Sequence, residues 1–394
     1  MINFEYLVPT KVIFGKDTEK QVGEEVKRFG AKKVLVHYGG GSAVRSGILG
    51  RVCASLEDAG VPYVTLGGVK PNPRLSLVYE GIDLARKEGV DFLLAIGGGS
   101  VIDSAKAIAY ALANDVEDVW DYFIGKGAPT ACAPVGVVLT IAAAGSETSN
   151  SCVITKEEGW LKRSLNTELA RPKFAIMNPE LTYSLPWYQT GCGAVDIMMH
   201  TMERYFTNVK HVELTDRIAE GLLVTVLQNA PKLRENPEDY DARAEIMWAG
   251  SLSHNGLTGT GRIGDFASHK IEHEIGGMFD VAHGAGLAAV WGSWARYVYK
   301  HDVARFAQFA VRVHGCQMDF DHPELTALAG IERMEDFYRS IQMPTNLREL
   351  GIGDVTDAQI REMAEKCTDY GAKKIGAFVP LETDDIEKIL QMAR

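Results

Sequence analysis

"LLAIGGGSVIDSAKAIA" (residues 93–109) runs from apolar residues through three glycines and a serine into apolar residues at helical spacing. A short apolar run bounded by glycines reads as a strand buried on both faces, and the change to a 3.6-residue period after Ser100 reads as a helix. Glycines at such a junction let the backbone approach a ligand, and the free N–H groups at a helix start favour phosphate oxygens. The spacing is not G-x-G-x-x-G, so the usual dinucleotide fingerprint is absent, and taken alone the stretch serves equally as a tight turn. The same letters recur in "VLVHYGGGSAVRSG" (34–47), again straight after an apolar run. Two glycine loops at strand ends of one parallel sheet fit a crevice for an extended ligand with more than one anionic group.

Outward from these loops, "KKVLVHY" (32–38), "VPYVTLG" (61–67), "VDFLLAIG" (90–97), "PVGVVLTI" (134–141) and "KFAIMNP" (173–179) read as strands. The helical stretches between them predict an α/β domain with a mostly parallel, Rossmann-like sheet covered on both faces. After about Pro186 the strand candidates almost vanish. "AVDIMMHTMERYF", "VELTDRIAEGLLVTVLQNAPKL", "DARAEIMWAGSLSHNG", "AGLAAVWGSWARYVY" and "DDIEKILQMAR" all carry the helical period. Pro179 and Pro186 punctuate the change, so the expected layout is an α/β domain over 1–184 and an all-helical domain over 185–394.

With 46% hydrophobic and 24% charged residues, the chain has an ordinary globular composition. The net charge of −11 argues against a nucleic-acid partner, whose recognition runs on Lys and Arg. The six cysteines are scattered with no C-x-x-C pair, which reads as reduced thiols in a cytoplasmic protein. The longest apolar run, Ala133 to Gly145, is shorter than the ~20 residues that span a bilayer, so no membrane partner is expected. Between Tyr38 and Arg45 there is no acidic residue, while Ser42 and Arg45 offer a hydroxyl and a guanidinium. A carboxylate there would grip a ribose 2′-hydroxyl and repel a 2′-phosphate, so its absence favours NADP(H) over NAD(H).

Three of the 10 histidines fall in "SHKIEHEIGGMFDVAHG" (268–284). Asp196 and His200 are i and i+4 on one helical face that is otherwise apolar, and His269 and His273 repeat the spacing. His283 follows beyond an expected turn at "GGMFD". Carboxylate and imidazole without thiolate would suit Fe(II), Zn(II), Mn(II) or Co(II). Spacing alone does not choose the ligands, and a D-x-x-x-H pair also serves as a structural hydrogen bond. "HKIEH" is not H-E-x-x-H, which argues against a zinc protease.

Taken together, "GGGSVIDSAK", "TIAAAGSETSN", "NPELTYSLP", "GAVDIMMHTMERYF" and "HKIEHEIGGMFDVAHGAGLAAV" resemble the iron-containing alcohol dehydrogenase family over essentially the whole chain. The likeness is greatest to its NADPH-dependent butanol and aldehyde dehydrogenase branch. The resemblance implies a metal held by Asp196, His200, His269 and His283, Fe(II) with Zn(II) as the alternative, and His273 as a proton relay. It implies cofactor contacts at Gly39, Gly40, Ser42, Gly97, Gly98, Gly99, Ser100 and Asp103, with Asn72, Thr140, Ser149 and Lys162 as further positions. Where the family commonly has T-G-S-E this chain has "AGSE", so Ala144 is left out of the site. The implied activity is hydride transfer between NADP(H) and a small, butanol-like primary alcohol or its aldehyde, in a cleft between the domains. A glycerol dehydrogenase-like or dehydroquinate synthase-like enzyme of the same architecture is the alternative. The expected partners are the small substrate and a second copy of the chain, as a homodimer.

Overall fold

A computed structural model describes residues Met1–Arg394, which form two compact units, Leu7–Leu185 and Pro186–Arg394 joined by Met1–Tyr6. The first residues therefore pack with the helical part of the chain: the Met1 amino group donates to the Lys210 carbonyl (2.8 Å) and Ile2 N–H to the Gly261 carbonyl (2.9 Å). The sequence-based division at 184/185 did not anticipate this return of the N-terminus.

The unit Leu7–Leu185 contains strands β1 (Lys11–Phe14), β2 (Val34–Gly39), β3 (Tyr63–Val69), β4 (Phe92–Gly97), β5 (Val135–Leu139), β6 (Ser151–Lys156), β7 (Leu161–Asn166) and β8 (Phe174–Met177). Six of them form one parallel sheet in the order β1-β8-β5-β4-β2-β3. Alternation along the strands divides the core. Val34, Val36, Phe92, Leu94 and Ile96 pack on one face with Val22, Val26, Val52 and Leu56 from the helices Val22–Arg28 and Ile48–Asp58. On the other face His37 meets Ser104 of the helix Gly99–Ala113, and Gly81 of the helix Leu75–Glu88 abuts Ile108. A Cβ on Gly81 would stand 2.3 Å from Ile108 Cδ1, so the two helices can approach this closely only over a glycine. Both faces being covered, the inner strands are apolar apart from His37.

The chain leaves β2 in one direction, to β3, and returns to the other side of β2 as β4. The reversal puts a crevice at the C-terminal ends of β2 and β4, where both glycine loops lie. The antiparallel hairpin β6–β7 stands outside the large sheet. The sequence does not announce it, because its second arm, "LKRSLN", is too polar to stand out as a strand.

The second unit is built from helices, nine of them of eleven residues or longer, around an aromatic centre. Phe206 and Phe306 stack with ring centroids 4.3 Å apart, Trp294 packs against both, and Phe309 links Phe206 to Trp291. One boundary differs from the expectation. The helix Ala267–Phe279 runs through Gly276 and Gly277, both buried, and turns only at Asp280, which adopts the left-handed conformation (φ 51). No helix is long and apolar enough to cross a membrane, and all six cysteines are free.

Candidate functional site

The helix Trp187–Tyr205 carries Asp196, His200 and Glu203 at intervals of four and three, on one face. Its neighbour Ala267–Phe279 starts after Phe266, held in the left-handed region (φ 59), with the Asp265 carboxylate accepting the Ala267 N–H at 3.2 Å. This start turns His269 inward. His269 Nε2 lies 3.7 Å from Asp196 Oδ1, and His200 Nδ1 lies 3.3 Å from the same oxygen. His283, the first residue of the helix His283–Val298, brings its Nε2 to 3.7 Å from that oxygen as well.

The ligand atoms of Asp196, His200 and His269 all fall within 4.8 Å of one another, and the three residues are buried. Asp196 Oδ1, His200 Nδ1 and His269 Nε2 are shielded from solvent and have no hydrogen-bond partner. Leaving three such atoms unpaired costs several kcal/mol, on the order of 1–3 each. A divalent cation among them would satisfy all three, and one carboxylate with imidazoles and no thiolate is a donor set such an ion accepts. The residues present therefore fit a metal.

Without a cation the cluster compensates its charge within itself. Burial, with the nearby rings of His254 and His269, pushes His200 well below the usual histidine range, so it is neutral. Burial acts against charge on His269 too, yet the carboxylates of Asp196 and Glu203 outweigh it and raise its pKa to about 9.

A second layer orients the rings. Glu203 Oε1 accepts both the backbone N–H (2.9 Å) and Nδ1–H (3.0 Å) of His269, leaving Nε2 to face Asp196. His283 Nδ1–H donates to Glu272 Oε2, and Glu272 is fully buried. His254 packs edge-on against His200 with centroids 3.9 Å apart. None of Glu203, Glu272 and His254 was selected from sequence as a site residue. The usable signal was periodicity: Glu203 lies two turns beyond Asp196, and Glu272 one turn beyond His269. His273 stands outside the converging atoms. Half-buried, its ring lies 5.9 Å from that of His283, one turn along from His269.

In the α/β unit, Gly39 ends β2, Gly97 ends β4, and Thr140 follows β5 with its N–H donating to the Gly97 carbonyl at 3.1 Å. Gly98 to Ser100 open the helix Gly99–Ala113. Gly40 and Ser42 precede or open the short helix Ser42–Arg45, and the Arg45 guanidinium folds back over Gly41, to 2.9 Å from where a Cβ would be. Asn72 is buried in a left-handed turn (φ 53). Lys162 on β7 pairs with Thr155 on β6, and Thr155 N–H donates to Pro73 (2.8 Å), so the hairpin docks beside Asn72. Asp103 and Ser149 point differently from the rest. Both carboxylate oxygens of Asp103 accept bonds from the chain after β5, from Ser146 Oγ and Val153 N–H, and Ser149 Oγ accepts the Ser151 N–H.

Residues 9–179 match the family described as iron-containing alcohol dehydrogenase, and residues 190–394 match the C-terminal domain of the Fe-containing alcohol dehydrogenase family. The chain is 40% identical over 391 residues to the probable NADH-dependent butanol dehydrogenase 2 of Bacillus subtilis, covering 99% of both chains. It is 34% identical to the NADPH-dependent aldehyde reductase YqhD of Escherichia coli, covering 100% of both. The crystal structure of NADH-dependent butanol dehydrogenase A from Thermotoga maritima superposes with a TM-score of 0.95 at 37% identity, over 100% of this chain and 99% of that one.

Proposed function

The chain belongs to the iron-containing alcohol dehydrogenase family, and from that premise we propose that it couples NADP(H) to the interconversion of a small aldehyde and its primary alcohol. The protein is an oxidoreductase acting on alcohols and aldehydes with a nicotinamide cofactor. The names of its relatives favour a substrate of about the size of butanol. The observation that carries the reading is the set of three buried, unpartnered ligand atoms around one point.

Asp196, His200, His269 and His283 would hold the divalent ion, with Glu203 and Glu272 fixing the rings of His269 and His283. When bound, the ion supplies Lewis acidity toward the substrate oxygen, and the nicotinamide gives or takes the hydride. The role left to His273 is proton transfer between the substrate oxygen and water, from a half-buried position outside the ligand atoms. Iron is favoured by family membership. Zinc is the alternative in isolated protein, because nitrogen and oxygen donors bind Zn(II) more tightly than Fe(II).

The relatives' names include both NADH and NADPH, so the choice of NADP(H) rests on this chain's own first glycine loop. Gly40 and Ser42 present no carboxylate, and Arg45 lies folded over Gly41. A Cβ on Gly40 would meet nothing within 4 Å, so an aspartate can be introduced there without a clash. Gly40→Asp is expected to lower kcat/KM for NADPH by about tenfold or more while sparing NADH, by setting a negative charge against the 2′-phosphate. Equal kcat/KM for NADH and NADPH in the parent enzyme would refute the preference.

A cytoplasmic homodimer completes the reading, supported by the free thiols and by Met1, Ile2, Phe4 and Tyr6, each more than 40% exposed. Sedimentation as a monomer at micromolar concentration would remove the dimer.

A further inference from the structure

Lys106, on the helix that opens with the second glycine loop, is 0% exposed. Its ammonium donates to the carbonyls of Ser146 (2.8 Å), Ser149 (3.0 Å) and Ser151 (2.8 Å), and to Ser146 Oγ (3.1 Å). A buried ammonium is tolerable only when its donors are all taken, and here they are. Three carbonyls from six consecutive residues do not converge on one point in a helix or a strand. The segment 140–150 has neither, Ser151 opens β6, and the Lys106 ammonium lies where the three carbonyls meet.

Asp103, one turn earlier on the same helix, takes the Ser146 hydroxyl on one oxygen and the Val153 N–H on the other. The near end of the same loop lies on the glycine turn. Thr140 N–H bonds to the Gly97 carbonyl, and Ile141 and Ala144 sit where Cβ atoms on Gly98 and Gly99 would stand, at 2.0 and 2.8 Å. The loop is thus pressed against the glycine turn at its start and pinned from beneath at its end.

We propose that Lys106 is a positioning residue for dinucleotide binding: its ammonium draws the carbonyls of Ser146, Ser149 and Ser151 under the loop and so fixes the loop's outer side and Thr140 against the glycine turn. This rests on reading the glycine loops as the dinucleotide site. Lys106 itself is sealed from the ligand, so its influence passes through the loop.

Dissociation constants for NADPH and NADH, measured by fluorescence titration of folded protein well below its unfolding temperature, test the proposal. Metal content is determined on the same samples. Lys106→Met is expected to weaken dinucleotide binding by about tenfold or more, since a displacement of about an ångström in a positioning element has effects of that order. Ser146→Ala, which removes one acceptor from Lys106 and the donor to Asp103, gives a smaller loss in the same direction. Metal content stays at the parent value in both, because the ligands lie in the other unit. A lysine that only stabilised the fold would lower the unfolding temperature and leave the dissociation constants unchanged. Parent affinity in both folded variants, or loss of metal together with dinucleotide, overturns the proposal. If Lys106→Met does not fold, Ser146→Ala decides alone. A parent protein that binds neither dinucleotide overturns the site reading itself, a result distinct from variants that bind normally.

Discussion

Two of the three buried aspartates of the helical unit, Asp216 and Asp196, are treated in opposite ways by their surroundings. Asp216 is closed: Arg262 and Arg305 reach one oxygen at 2.7 and 2.6 Å, and Arg305 and Gln308 reach the other at 2.6 and 3.1 Å. The guanidiniums are satisfied in turn, Arg262 on the carbonyls of Thr258 and Thr215, and Arg305 on the Tyr205 carbonyl with its charge 3.9 Å from the Tyr205 ring centroid. Burial works against the charge on Asp216, but the hydrogen bonds and charge of Arg305 outweigh it and hold the carboxyl below its ordinary range. Asp196 is open, with histidine nitrogens at 3.3 and 3.7 Å and no hydrogen bond to its inner oxygen. Burial of ionisable groups is common to both clusters. What marks the second as a site is that its valences are left for something else to fill.

The largest effects are expected at the open cluster. His269→Ala is expected to empty the metal site and take turnover to background, since it removes one of three converging ligand atoms. His273→Ala should keep the metal and lose about 10²–10⁴-fold in kcat, the range of a general acid–base group. Metal analysis beside kcat for both variants distinguishes them. If His273→Ala emptied the site and His269→Ala kept it filled, the two roles would have to be exchanged.

The closed cluster should respond in stability. Asp216→Ala strands two buried guanidiniums and is expected to cost about 3–5 kcal/mol, read from urea unfolding. A chelator should still lower the unfolding temperature of this variant, as in the parent, because a metal bound only to the folded state stabilises it. In Asp196→Ala the chelator should have no effect. A chelator response in Asp196→Ala equal to the parent's would show that the open cluster is not where the metal binds.

How much of this is legible in the sequence depends on what each residue's neighbours are. The five main strands announce themselves because both faces of the sheet are buried, so β4 and β5 are apolar at every position and β2 at every position but His37. The hairpin β6–β7 is half-exposed and carries Lys162, Arg163 and Ser164, which conceal it. Helical spacing pairs Asp196 with His200 and His269 with His273, yet it cannot say which member of the second pair meets Asp196, since both share one face of one helix. That distinction needs the neighbouring helix. Lys106 is illegible for a similar reason: a lysine in a helix ordinarily reads as solvent-facing, and only the return of the chain at Ser146–Ser151 buries it.

A third buried group, closed by neutral atoms alone, should show the smallest effect. His37 on β2 is fully buried. Its Nδ1–H donates to the Leu66 carbonyl at 2.9 Å, and its Nε2 accepts the Ser104 hydroxyl at 2.8 Å. No carboxylate faces it, so burial, only partly offset by the Leu66 carbonyl, lowers its pKa from 6.5 to about 4. Across that window the unfolded chain binds a proton that the folded chain refuses. The stability it contributes is therefore complete above pH 6.5 and is lost as pH falls toward 4 and below. A shift of this size corresponds to a loss of up to about 3 kcal/mol. His314 in the helical unit, also held near 4 by burial and by Arg333, adds a slope of its own. The share of His37 is the difference between parent and His37→Gln in urea unfolding measured from pH 7 to pH 4. The variant, lacking a titrating ring at this position, should show the shallower fall, and parallel curves would mean that the ring is protonated in the folded protein after all.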